Sequence, residues 1–165
     1  MSVHSLKALY VDLLKDTYNA EKQILRALPK IAKAASSDDL QNALKEHLGV
    51  TKRHVDRLEK IFRALGKPPT GKKCKGMQGL LEEGSELLEE DIEPAVLDAG
   101  IIAAAQKVEH YEICAYGTLR TFAQQLGENQ AARMLQETLD EEREADVELT
   151  RLATQEINLE AEQTA

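Results

Sequence analysis

Four apolar stripes in this chain are interrupted near their middles by ionisable residues at helical spacing. Glu21 falls in phase between Thr17 and Ile24. His47, Thr51 and His54 follow one another at intervals of four and three. Glu109 and Glu112 stand between Ala105 and Tyr116, and Glu142 and Asp146, four apart, stand between Leu139 and Leu149. Residues three or four apart share a helix face, so these groups point to where a core should form. Buried carboxylates lose hydration and repel one another, which raises their pKa values or breaks the fold unless something compensates. A pair of divalent cations compensates, with carboxylates as hard oxygen ligands and imidazole adding nitrogen. In that reading Glu21, Glu112 and Glu142 anchor or bridge iron or manganese. Glu109, His54 and Asp146 complete the shell and leave a position open for an oxidant. The plainer reading stays open on these residues alone: polar slots bridged to Lys or Arg, or acids wetted at the edge of a bundle.

The elements that must position these groups are helices. Periodicity and punctuation predict long helices over about 5–35, 38–65, 94–126 and 129–160. The stripe of the first is Leu6, Leu9, Leu13, Thr17, Ile24, Leu28 and Ile31, with Pro29 expected to kink or break it. Leu65-Gly66 ends the second, and Leu126-Gly127 ends the third, which opens at Pro94. The connector from Lys67 to Glu93 is too long for a turn and carries a shorter helix over about 77–90. Two hairpins joined by such a crossover make the ferritin-like arrangement of a four-helix bundle, with an up-down bundle as the alternative. Each polar group lies some 20–25 Å from a helix end at about 1.5 Å per residue. Antiparallel helices therefore bring them into one layer.

Composition agrees with an all-α chain of one domain, 1–165. Of 165 residues only six are aromatic, four Tyr and two Phe, against abundant Leu, Ala and Glu. A net charge of −8 without a basic cluster argues against nucleic acid. No apolar run is long enough to span a membrane. Met1-Ser2-Val3-His4-Ser5 shows no signal segment. Cys74 and Cys114 lack CxxC spacing, so free thiols and a cytoplasmic location are expected.

Several segments resemble the YciF-type ferritin-like family of bacterial stress-associated proteins. They are Asp16-Thr17-Tyr18-Asn19-Ala20-Glu21-Lys22-Gln23, His47-Leu48 with Thr51, Cys74-Lys75-Gly76-Met77-Gln78-Gly79-Leu80, Ala104 to Ile113, Tyr116-Gly117-Thr118-Leu119-Arg120, and Glu141-Glu142 with Asp146. The resemblance covers nearly the whole chain in order. It implies the crossover fold, a homodimer and a site akin to that of rubrerythrin-like di-iron proteins, with Glu21, Glu109, Glu112 and Glu142 at the ligand positions. The second helix departs from the pattern. Where the family carries a Glu pair this chain has Gly49-Val50, and Thr51 stands three residues before His54 in place of a Glu. The resemblance thus leaves one bridging carboxylate missing, with His54 as the helix's sole ligand, a single metal, or none.

The remaining candidates are placed outside the ligand set. Tyr18 and Tyr116 are read as packed with satisfied hydroxyls, His47 as a support beside the ligands, and His110 as structural or interfacial. Cys74 sits among Lys72, Lys73 and Lys75, which would lower its pKa; an incidental loop thiol is the plainer reading. Glu82, Glu83, Glu86, Glu89 and Glu90 form a solvated face. Three functions follow in order: a di-iron or dimanganese protein handling peroxide or dioxygen under stress, a metal-free dimeric protein acting by interaction, and an iron store.

Overall fold

Ser5 opens the first helix by accepting a hydrogen bond from the Ala8 N–H at 3.1 Å, which satisfies one of the donors a helix start leaves bare. The computed structural model describes residues 4–164, so Met1 to Val3, read above for a signal segment, and Ala165 lie outside it. Helix α1 spans Leu6–Ala34, α2 Asp38–Ala64, α3 Lys75–Leu87, α4 Pro94–Gln125 and α5 Asn129–Leu152. A π-helical turn, Ala153–Ile157, and a short α6, Asn158–Glu162, prolong α5. There is no strand among the described residues. Gly66 and Gly127 follow α2 and α4 with φ of 60° and 74°, a left-handed conformation that glycine adopts without Cβ strain.

Pro29 does not interrupt α1, which runs on to Ala34. The proline lies on the exposed side, where water can satisfy the carbonyl its missing N–H leaves free. The N-terminal stripe also differs from expectation. Tyr10, Leu14 and Thr17 are buried, whereas Leu9 and Leu13 are half-buried and Leu6 is exposed. The helical path expected over about 129–160 runs to Glu162, with its backbone widening after Leu152. That turn seats Ile157 in the core and carries Glu156 to the Ser37 hydroxyl.

Three contacts establish the topology. Asp98, near the start of α4, accepts from Ser36 and Ser37 at the end of α1. Lys7 at the start of α1 pairs with Glu128 just before α5. Gly76 and Gly100 let α3 lie antiparallel along α4: Cβ atoms there would stand 3.0 Å from Tyr111 and 2.8 Å from Leu87. Both hairpins are therefore antiparallel, and α3 carries the chain back along the bundle, so α2 and α4 run in the same direction. This is the four-helix bundle with one crossover, each long helix touching its two neighbours in the order α1, α2, α5, α4.

The core comes in two apolar halves. One gathers Ile24, Leu28, Leu44, Ile101 and Leu152; the other gathers Tyr10, Leu14, Phe62, Leu119 and Leu135. Between them lies a layer of buried polar side chains drawn from all four long helices.

Candidate metal centre

Within that layer Glu21, His54 and Glu142 are fully buried, Glu112 is 1% exposed and Glu109 4%. Glu21, His54, Glu112 and Glu142 form one group that could hold an ion; His47, Glu109, Glu112 and Glu142 form a second. In each group the ligand atoms lie within 4.8 Å of one another. Donors facing each other across a first-row divalent ion lie roughly 4.2 Å apart, so little contraction is required. Glu112 and Glu142 belong to both groups. Glu142 shows what sharing means: its Oε1 lies 2.9 Å from His54 Nδ1 and its Oε2 3.9 Å from His47 Nε2. A carboxylate that presents one oxygen to each side is placed where it could serve both groups.

The buried atoms converge, and beyond the charge pairing of His54 with Glu142 and Glu21 they satisfy one another poorly. Both oxygens of Glu112, one each of Glu21, Glu109 and Glu142, and His47 Nε2 lack a hydrogen-bond partner, and His54 Nδ1 meets only Glu142 and Glu21 as an ion pair. Folded proteins rarely tolerate so many orphaned polar atoms together, because each forfeits its hydration for nothing. Two divalent cations would neutralise the four carboxylates and occupy those lone pairs. The donor set fits iron or manganese, which take mixed oxygen and imidazole ligands.

Electrostatics records the same conflict. Burial pushes the Glu109 and Glu112 carboxyls well above the usual range, and the neighbouring charges of Glu142 and Glu21 add to it. Burial opposes a charged His54, yet Glu142 and Glu21 facing its ring lift it to about 10. The same pairing holds Glu142 below its ordinary value against burial. His47, faced less closely, is lowered by burial. Protonated, His54 would serve as a cation within the layer, and a metal bound there would take the place of its proton.

Supporting residues fix the ligands. Glu141 accepts from His54 Nε2 at 2.8 Å and is held by Arg57 at 2.5 and 3.0 Å. With Nε2 bonded outward, Nδ1 is the nitrogen that faces the cluster. Burial opposes the Glu141 charge, but Arg57 and His54 hold the carboxyl at about 2. Tyr116 donates to Glu21 Oε1, so its hydroxyl is satisfied by a candidate ligand. Thr51, fully buried between the two histidines, bonds back to the His47 carbonyl at 2.9 Å.

Five of the six residues proposed from sequence come together: Glu21, His54, Glu109, Glu112 and Glu142. Asp146 does not join either group. It is half-buried and faces Gln106 at 3.0 Å and His110 at 3.2 Å. His47, read as a support, is instead a member of the second group. The spacing of seven from His54, two helical turns, was its signal. Gly49 is exposed, so α2 supplies two histidines where the family pattern places a carboxylate. Glu141 and Arg57 had no assigned role in the sequence; Arg57 lies three residues after His54, on the same face. Tyr18 turns away to Glu59.

Cys74 is a correction too. It is buried as the N-cap of α3, and burial pushes its thiol up despite the neighbouring lysines. Its Sγ lies 2.9 Å from the Tyr111 hydroxyl, which donates to Asp16. Asn19 and Gln23 bond the Cys74 backbone, so the resemblance segments around Asp16, Cys74 and Tyr111 meet in one clamp that docks α3.

A domain of unknown function, DUF892, matches residues 5–162. The chain belongs to this family. It is 44% identical to Protein YciF of Escherichia coli (strain K12) over the full length of both chains. The crystal structure of that E. coli stress protein superposes with a TM-score of 0.91, covering 94% of this chain and 99% of the other. The YcfI protein of Rhodopseudomonas palustris gives 0.88 at 40% identity, covering 90% and 95%. A Xanthomonas campestris protein, 21% identical with a TM-score of 0.77 over 96% and 99%, shares the fold. No helix among the described residues is long and apolar enough to cross a membrane.

Proposed function

We propose that this DUF892 protein holds two iron or manganese ions in its polar layer and handles peroxide or dioxygen under stress, as a cytoplasmic homodimer. The observation that carries the reading is the sharing of Glu112 and Glu142 by two four-residue groups whose inward atoms have no other partner. Structural acids could be neutralised singly by Lys or Arg. Here no Lys or Arg pairs with the four carboxylates among the described residues; their ion pairs are with His47 and His54. The relation to an E. coli stress protein supports the physiological setting.

When bound, the metal pair supplies a centre where a small oxidant is held and reduced. The chain's own residues prepare that centre. Tyr116 fixes the rotamer of Glu21 and keeps a hydroxyl proton beside it. Arg57 and Glu141 hold the outward nitrogen of His54, and the two apolar halves of the core exclude water above and below.

Elemental analysis after growth in iron- and manganese-supplemented medium tests the reading. Close to two ions per chain are expected, with none in a folded Glu21→Ala/Glu142→Ala variant. Unchanged metal in that variant would sink the assignment, and a metal-free wild type would instead support a protein acting by interaction. Light scattering reads the expected dimer.

A further inference from the structure

The two groups do not have the same access to solvent. A cleft of about 520 Å³ opens between α2 and α5, and His47 and Glu109 line it. His47 is 9% exposed, with Nε2 unpartnered; Glu109 is more deeply buried, with Oε2 unpartnered. Glu21, His54, Glu112 and Glu142 do not line the cleft. We propose that this cleft is the route by which divalent cations reach the cluster, and that it makes the position of His47 and Glu109 exchangeable while the position of Glu21 and His54 is retained. The inference rests on the two-ion reading above.

The charge of the walls selects the traveller. Glu141 and Glu148 line the cleft but are held by Arg57 and Arg151. The cleft's own cations, Arg53 and Arg151, face those same two acids. Asp39 and Glu46 on α2 and Glu144 on α5 also line it and make no ion pair among the described residues. A concave, low-dielectric mouth with three free carboxylates concentrates cations and raises their on-rate. A second crevice, beneath α3, also reaches His47 and Glu109, but its walls are residues such as Ile24, Leu28, Leu80 and Ile101. Nothing along that wall replaces the hydration of an ion. The free acids of the α2–α5 cleft do so, and His47 and Glu109 at its floor complete the transfer from water to protein ligands.

Cobalt(II), followed by its visible absorption in a stopped-flow instrument, tests the route. The metal-free full chain should take up two Co²⁺, and EDTA should remove them in a fast and a slow phase, the fast one lost in His47→Ala. Glu46→Gln/Glu144→Gln should bind the same number but load on the order of tenfold more slowly at low salt, the difference vanishing near 1 M salt. Val50→Trp, which fills the cleft from α2, should slow uptake and release at any salt concentration. Wild-type loading rates in both of these variants, or release of two ions in a single phase, would overturn the route while leaving the two-ion centre intact. A wild type that binds no Co²⁺ would overturn both.

Discussion

Replacing Glu112 by Met should make the metal-free protein more stable and deaf to metal. Glu112 is 1% exposed and neither of its oxygens has a partner. An unsatisfied buried polar group costs about 1–3 kcal/mol, and Met keeps an unbranched side chain while removing both orphaned atoms. A gain of about 1–3 kcal/mol is therefore expected. For a chain of this size about 1 kcal/mol moves Tm by roughly 2–4 °C, so the metal-free variant should melt roughly 2–12 °C above metal-free wild type. Because Glu112 belongs to both groups, the variant should gain nothing from manganese. Wild type should gain about 2.7 kcal/mol for each bound ion, about 5.4 kcal/mol for two, at an ion concentration a hundredfold above Kd. Differential scanning calorimetry with and without Mn²⁺ measures both arms. The signature is a reversal of rank: the variant melts higher without metal, and wild type recovers or overtakes it with metal. A folded Glu112→Met protein that melts lower without metal, or rises with Mn²⁺ as wild type does, would refute the assignment of Glu112 as a bridging ligand left unsatisfied.

Stability of the metal-free form should fall with rising pH. His54 has a folded pKa raised from 6.5 to about 10, so its contribution is complete below about 6.5 and is lost as pH climbs towards 10. The raised Glu109 and Glu112 carboxyls act in the same sense from about 4.5 upwards; urea titrations should show the decline, and His54→Gln should flatten its upper part. Arg57→Ala releases Glu141 from its fork and should weaken Mn²⁺ binding on the order of 10–100-fold without changing stoichiometry, as calorimetric titration would show. Asp146→Asn should leave both ions in place by elemental analysis, whereas His47→Ala should retain one. Gly100→Val should cost about 1–3 kcal/mol in urea unfolding, because a Cβ there would already stand 2.8 Å from Leu87 Cδ2.

Helix starts and stops are local events, and they were legible. Ser5 caps α1, Pro94 opens α4, and Gly66 and Gly127 follow α2 and α4, because capping and φ preference depend on a few neighbouring residues. The polar layer was legible as well: phase along a single helix aims Glu21, His54, Glu109, Glu112 and Glu142 inward whatever the partners are. Where two apolar stripes overlap at the start of α1, phase alone was ambiguous. Packing buried Tyr10 and Leu14 and left Leu6 exposed.

The membership of the ligand set was decided between helices. Asp146 and Glu142 lie on the same side of α5, yet Gln106 and His110 of α4 draw Asp146 to the rim. His47 lies two turns from His54, about 10 Å along the axis, and enters the layer because Glu109 of α4 and Glu142 of α5 approach it at 3.4 and 3.9 Å. The burial of Cys74 likewise depends on Asn19, Gln23 and Tyr111 from two other helices. Periodicity states which direction a side chain leaves its own helix; only the packed bundle sets what stands opposite. By itself the sequence determined that four helices carry an acidic and imidazole layer, and the tertiary structure decided that this layer gathers into two overlapping groups of side chains, one of them reaching a cleft.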